Sequence, residues 1–441
     1  MRLPESYRDV IEGRERPDSW FVAALPAPVP APDAGEAESL LALSDLDVAS
    51  IEPASAPEVH EAQWELEVTI RFEDEEEPVA YRVWLVPSER MSDRVLVDAG
   101  LRPEERQEAR DSQWSLGVST RFGERPLWDY HRQVKVLAAV TPEAVVARDV
   151  GLEHSWDWVL EVAASTVPPS PHALYGIHAV WDEETGGKTV WMHTHGLLRC
   201  GSLELEMLNV SRDGTGSLGQ LLNVVAPLFI ERGVPDPGEP FEPGQGLALV
   251  WLPWEEALRR APRRCLGGGD DRDEYHSLPS GVLFVPARGL FGRRYRNPSV
   301  LIPALEDNPL LWISTMETDR MRMLAWERLD VFVNLFQSYG GQEFAFLVKL
   351  GFEMDGAKKE DEREHLWFEV HAINGDQVDA TLVNEPYYIA RMHEGQRGTH
   401  SLENLTDWCI LCEHGEFNPG TVVNLQRILE DTAQDDHAPE E

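Results

Sequence analysis

Two histidines one residue apart, in His193-Thr194-His195-Gly196, close a run whose alternation reads as a strand. A period of two points both imidazoles to one face, where they can share a single metal ion; no cofactor is firmly implied, zinc being the one such a strand-borne pair could take. Glu204, Glu206 and Asp182 are the acids placed to add a carboxylate from neighbouring strands. A zinc ion there would lower the pKa of a bound water towards neutrality, which is the chemistry of a metal-dependent hydrolase. The plainer expectation is a pair of core histidines bonded to backbone or to nearby acids.

Two further groups have residue types suited to chemistry. Cys409-Ile410-Leu411-Cys412 has C-x-x-C spacing without a second pair, and a strand starting at Asp407-Trp408 would turn its thiols to different faces. Buried apolar cysteine is therefore the expectation. Trp367, Asn384, Glu385, Tyr387 and Trp408, with Tyr388, offer the apolar walls and few polar groups of a ligand or partner groove. The same rings can equally fill a core with their polar tips satisfied. No G-x-S-x-G elbow appears, and Gly267-Gly268-Gly269 lacks the Lys-Ser/Thr of a P-loop.

The elements that must position these residues alternate between strands and helices. Strands are expected over Trp20–Leu25, Trp64–Phe72 and Val79–Val86, the last two joined by the acidic run Glu73–Glu77, with a helix over Ala34–Leu46. Helices follow over Leu127–Asp149 and Ser155–Ala164, before Pro168, Pro169 and Pro171. Ala173–Trp181 and Thr189–Leu198 read as a hairpin around the turn Asp182–Gly187. After it come the strand Leu203–Val210, a helix from Ser217 to Glu231, the strand Leu247–Leu252 and a short helix from Trp254. A helix over Met321–Phe336 leads into strands at Glu343–Phe352, His365–His371, Val378–Leu382 and Asp407–Leu411.

The fold class expected is α+β, with mixed antiparallel sheets and packed helices in two N-terminal units and a small curved sheet or barrel at the C-terminus. The expected units are residues 1–165, with a ferredoxin-like order, 166–320, which carries the His-Thr-His-Gly strand, and 340–430. A disordered acidic tail is expected over 431–441.

The chain has 441 residues and a formal charge of −39, a field that repels nucleic acid and anionic membrane and attracts basic protein partners. Residues Arg259–Arg296 reverse that sign, with nine arginines against four acids. They read as a solvated surface paired with acids elsewhere, the other reading being an RNA or phosphate patch. The N-terminus lacks the layout of a secretory signal and no run approaches the length of a membrane span, so a cytoplasmic location is expected. Four cysteines are too few to staple such a chain.

Phe346-Leu347-Val348-Lys349, His365-Leu366-Trp367-Phe368-Glu369-Val370, Leu382-Val383-Asn384-Glu385-Pro386, Glu394-Gly395 and Leu405-Thr406-Asp407-Trp408 occur in that order near the C-terminus. Through them this part resembles an uncharacterised bacterial family called YegJ-like, a domain of unknown function. Trp191-Met192-His193-Thr194-His195-Gly196-Leu197 and Leu203-Glu204-Leu205-Glu206 are similar to a second uncharacterised bacterial family that often precedes the first. The resemblance implies a bacterial origin, a boundary near residue 340 and two modules that work together. It implies no activity. The function expected from the residues is an acidic protein-interaction module, an adaptor or an immunity-type neutraliser, with the hydrolase and the RNA or phosphate binder as its rivals.

Overall fold

The computed structural model describes residues 3–30, 41, 46–55, 58–87, 101–141, 143–181, 187–261, 265–289, 292–307, 311–312, 314–357 and 363–435. These form an α+β protein with three mostly antiparallel sheets, none of them closed, and divide into two compact units, Met1–Ser314 and Thr315–Glu441. The expected boundary near residue 166 falls between the two sheets of the first unit. Among the described residues, no helix is long and apolar enough to cross a membrane.

The first sheet runs in the order Asp47–Pro53, Trp64–Arg71, Val79–Pro87, Trp114–Thr120, Ser19–Leu25, Val146–Asp149, Glu153–Ser155. Seven strands exceed the four of a ferredoxin-like arrangement, because Trp114–Thr120 and Val146–Asp149 flank Ser19–Leu25 on either side. The helix expected over Leu127–Asp149 spans Pro126–Val140 only. Pro142 disfavours the helical conformation of Thr141 before it, and the β-branched pair Val145-Val146 leads into a strand. Gln133, fully buried on that helix, donates to the carbonyls of Ser19 (3.0 Å) and Val118 (2.8 Å) and accepts from Ser19 Oγ at 2.7 Å, which fixes helix to sheet. The helix expected over Ala34–Leu46 lies almost wholly outside the described residues, as do residues 182–186 of the hairpin turn.

The second sheet runs Phe241–Gly244, Leu247–Pro253, Ser280–Gly289, Glu204–Ser211, Thr189–His195, Gly176–Trp181, with Gly292–Arg296 also paired to Ser280–Gly289. Glu204–Ser211 and Ser280–Gly289 run parallel. The helix Thr215–Arg232 buries Leu218, Leu221, Leu222 and Val225, the i, i+3, i+4, i+7 stripe of a core-facing helix. Arg199, 1% exposed, links this sheet to the first. It donates to Asp149 Oδ2 at 2.8 Å, Ser19 Oγ at 2.9 Å and the Leu174 carbonyl at 2.9 Å. That guanidinium beside Asp149 holds the buried carboxyl below its usual range, although burial pushes the other way.

In the second unit the helices Thr315–Glu327 and Leu329–Tyr339 replace the single helix expected over Met321–Phe336. They precede an open six-stranded sheet ordered Arg397–Ser401, Gln377–Leu382, Arg363–Asn374, Ala345–Glu353, Leu405–Cys412, Gly415–Phe417. This is the curved-sheet form of the expectation and not a closed barrel. A last helix, Val422–Asp435, runs into the segment expected to be a disordered tail, whose residues 436–441 lie outside the described set.

Candidate metal centre

The strand Thr189–His195 alternates Trp191, His193 and His195 on one face with Val190, Met192 and Thr194 on the other. Its neighbours complete the first face. His178 pairs directly with His193 on one side and Glu206 pairs with it on the other, so Glu206, His193 and His178 form a row across three strands. The ring centres of His178, His193 and His195 are 5.5, 4.7 and 4.8 Å apart pair by pair, and one ligand atom from each lies within 4.8 Å of the other two.

His193 is 3% exposed, and neither of its ring nitrogens has a hydrogen-bond partner. Burial, reinforced by the neighbouring histidines and Arg272, pushes its pKa down to about 2, and burial with His178 and His276 pushes His195 down to about 4. Both rings are neutral at pH 7, the form in which imidazole offers a lone pair to a metal.

Glu206 and Glu204, two of the three acids expected to join them, are committed elsewhere. Glu206, 2% exposed, accepts from both Arg272 Nη atoms at 3.0 and 2.6 Å, from Trp191 Nε1 at 2.9 Å and from Ser280 Oγ. Glu204 accepts from Thr194 Oγ1 at 2.7 Å and from the amides of Gly196 and Leu198 at 2.9 and 3.3 Å, fixing the turn after the strand. Burial pushes its carboxyl up to about 7. Asp182 lies outside the described residues. His178, which sequence reasoning missed, stands where a carboxylate was expected.

The same face is covered by the loop through Gly267, Arg272, Asp273 and His276. Gly267 has φ +79°, and a Cβ there would lie 2.6 Å from Leu208 and 2.8 Å from Trp191, so the first glycine of the triplet serves close packing over the sheet. His276 arrives on this loop with its ring centre 4.9 Å from His193 and 5.2 Å from His195. The cavity beside the rings, lined by Trp191, His193, His195, Tyr275, His276 and Ser280 among others, measures about 20 Å³. The arginine-rich segment is partly spent within the fold, since Arg272 pairs with Glu206, and Arg259 and Arg260 pair with Glu256.

In the second unit Trp408 lies in the core, on the face opposite Trp367, while Asn384 meets the Trp367 backbone. Trp408 is fully buried, donates Nε1 to the Ala325 carbonyl at 3.0 Å and packs on Phe332. Trp367 belongs to the adjacent row, Trp367, Lys349 and Asp407, which alternation places on the opposite face, with the Lys349 ammonium 5.3 Å from its ring. Asn384 Oδ1 accepts from the Trp367 amide at 2.9 Å, and Glu385 accepts from the Glu394 amide at 2.9 Å. Tyr387 and Tyr388 are 89% and 64% exposed. Cys409 is buried, and burial pushes its thiol up to about 12, while Cys412 is half-buried.

The matches to known families assign the chain to uncharacterised bacterial domains. A protein of unknown function named DUF4026 matches with its N-terminal model over residues 23–169 and with its C-terminal model over 177–284. An uncharacterized protein conserved in bacteria, DUF2314, matches over 331–440. Residues 23–169 and 177–284 therefore match the two DUF4026 domains, and residues 331–440 match a DUF2314 domain. The C-terminal match bears the DUF2314 description and not the YegJ name. No curated protein and no solved structure matches the chain. All four clustered histidines fall inside the segment 177–284.

Proposed function

We propose that this chain binds one divalent transition-metal ion through His178, His193 and His195. The observation that carries this reading is His193, whose buried ring has no partner for either nitrogen while two more imidazoles stand within bonding reach of a shared ion. An unsatisfied buried polar group costs about 1–3 kcal/mol, and a metal bond would offset that cost. Neutral imidazoles are borderline ligands suited to zinc, nickel or copper, and zinc matches a compact nitrogen-donor set. The space beside the rings, about 20 Å³, has room for one water. Titration of chelator-stripped protein with zinc tests the reading. One ion per chain is expected, with binding lost in the double variant His193→Ala, His195→Ala. Undiminished binding by that variant would remove it.

A second reading, interaction with a protein partner, is supported by the exposed pair Tyr387 and Tyr388 on a chain of charge −39. A basic partner is the expected chemistry. Its association should slow as salt rises and weaken when both tyrosines become alanine, and association indifferent to both changes contradicts it.

A further inference from the structure

The cluster contains a fourth imidazole, presented from outside the sheet. His276 lies on the loop that covers the histidine face, and its ring meets His193 and His195 edge to face at 4.9 and 5.2 Å. Two imidazoles bound to one tetrahedral ion at about 2.0–2.1 Å hold their ring centres roughly 5 Å apart. The three strand histidines, at 4.7 to 5.5 Å from one another, share that spacing, and so does His276 with respect to His193 and His195.

The orientation of His276 is fixed by its own loop. Its Nδ1 lies 2.8 Å from Asp273 Oδ1, and the same carboxylate accepts from the amides of Tyr275 and His276, each at 2.9 Å. A carboxylate only accepts, so Nδ1 carries the proton and Nε2 keeps the lone pair, the arrangement by which outer carboxylates orient metal-binding histidines. Arg272, one residue before Asp273, is anchored in the buried pair with Glu206, lies over the Trp254 ring at 4.4 Å and donates to the His276 carbonyl at 2.5 Å. Glu206 in turn sits opposite His193 in the sheet. One chain of contacts therefore runs from the strand that carries His193 to the loop that carries His276.

We infer that His276 is a fourth ligand of the ion, giving an all-imidazole coordination sphere, and that Asp273 is the residue that positions it. The inference rests on the three-histidine reading and deepens it. A closed four-coordinate sphere leaves no position for an activated water, so the site holds metal and does not hydrolyse. It also ties the covering loop to the sheet, and the loop should gain order when zinc binds.

The test uses the full chain, stripped with chelator and reloaded with zinc, as wild type, His276→Ala and Asp273→Asn. X-ray absorption of the wild-type complex should count four imidazoles, and that of His276→Ala three. Competition with a chromophoric chelator should show zinc binding at least about 10-fold weaker in His276→Ala and about 10-fold weaker in Asp273→Asn. Asp273 is 59% exposed, so its variant should fold and keeps the inference testable if His276→Ala does not. Three imidazoles in the wild type, with unchanged affinity in both variants, would overturn this inference and leave the three-histidine site standing. A wild-type chain that binds no zinc sinks both.

Discussion

Arg272 grips the carboxylate of Glu206 with both terminal guanidinium nitrogens, at 3.0 and 2.6 Å, and neither side chain is more than 3% exposed. A charge pair this deep is held by geometry and by its extra bonds from Trp191 and Ser280. Arg272→Ala leaves Glu206 buried without its counter-charge, and the expected loss is about 3–5 kcal/mol, read from urea unfolding. A loss under about 1 kcal/mol would mean that the pair does not hold the loop.

His154 stacks on Trp158 with ring centres 3.9 Å apart, and burial pushes its pKa from 6.5 down to about 4 against the pull of nearby Asp149. The folded value lies below the unfolded one. The neutral ring therefore contributes stability that is complete above pH 6.5 and is lost as the pH falls towards 4. The stability difference between wild type and His154→Gln should shrink by up to about 1.4 kcal/mol per pH unit across that window. Glu204, raised from 4.5 to about 7 by burial, should show the opposite slope, with its contribution lost as the pH rises through 7. Parallel pH profiles for the wild type, His154→Gln and Glu204→Gln contradict these assignments.

Gly267 and Gly269 belong to one triplet but have different surroundings. A Cβ at Gly267 meets Leu208 and Trp191 at a positive φ, whereas one at Gly269 meets nothing within 4 Å. Gly267→Ala should cost more than about 1 kcal/mol, and Gly269→Ala should stay within about 0.5 kcal/mol of wild type. Equal effects in thermal unfolding would argue against a packing role for the first glycine.

The aromatic residues of the second unit divide in the same way. Trp408→Ala empties a fully buried site and should cost about 3–5 kcal/mol. Tyr387→Ala with Tyr388→Ala removes exposed rings and should change stability by no more than about 1 kcal/mol. Denaturant unfolding that ranks them in the reverse order would contradict the placement of both.

The candidate metal centre was half legible in the sequence. His193 and His195 are a spacing-of-two pair on a β-branched and aromatic run, and local pattern alone puts such residues on one face. His178 depends on the hairpin register, and a slip of one residue would turn it to the other face. His276 had no local signal, because its loop folds back from a distant part of the chain. Glu204 and Glu206 were in the expected place for carboxylate ligands, but their bonds to Thr194 and Arg272 are long-range facts that spacing does not contain. No strand was expected over Ser280–Gly289, where Gly281, Pro286 and Arg288 interrupt the apolar run. Its place between two strand partners makes it a central strand all the same.

The most direct test of the central claim is elemental analysis of untagged protein, purified without chelator and scored as moles of zinc, nickel, copper and iron per chain. About one tightly held transition-metal ion is expected in the wild type and none in the His193→Ala, His195→Ala double variant. A folded wild-type chain that carries no metal and takes none up from added zinc would contradict it.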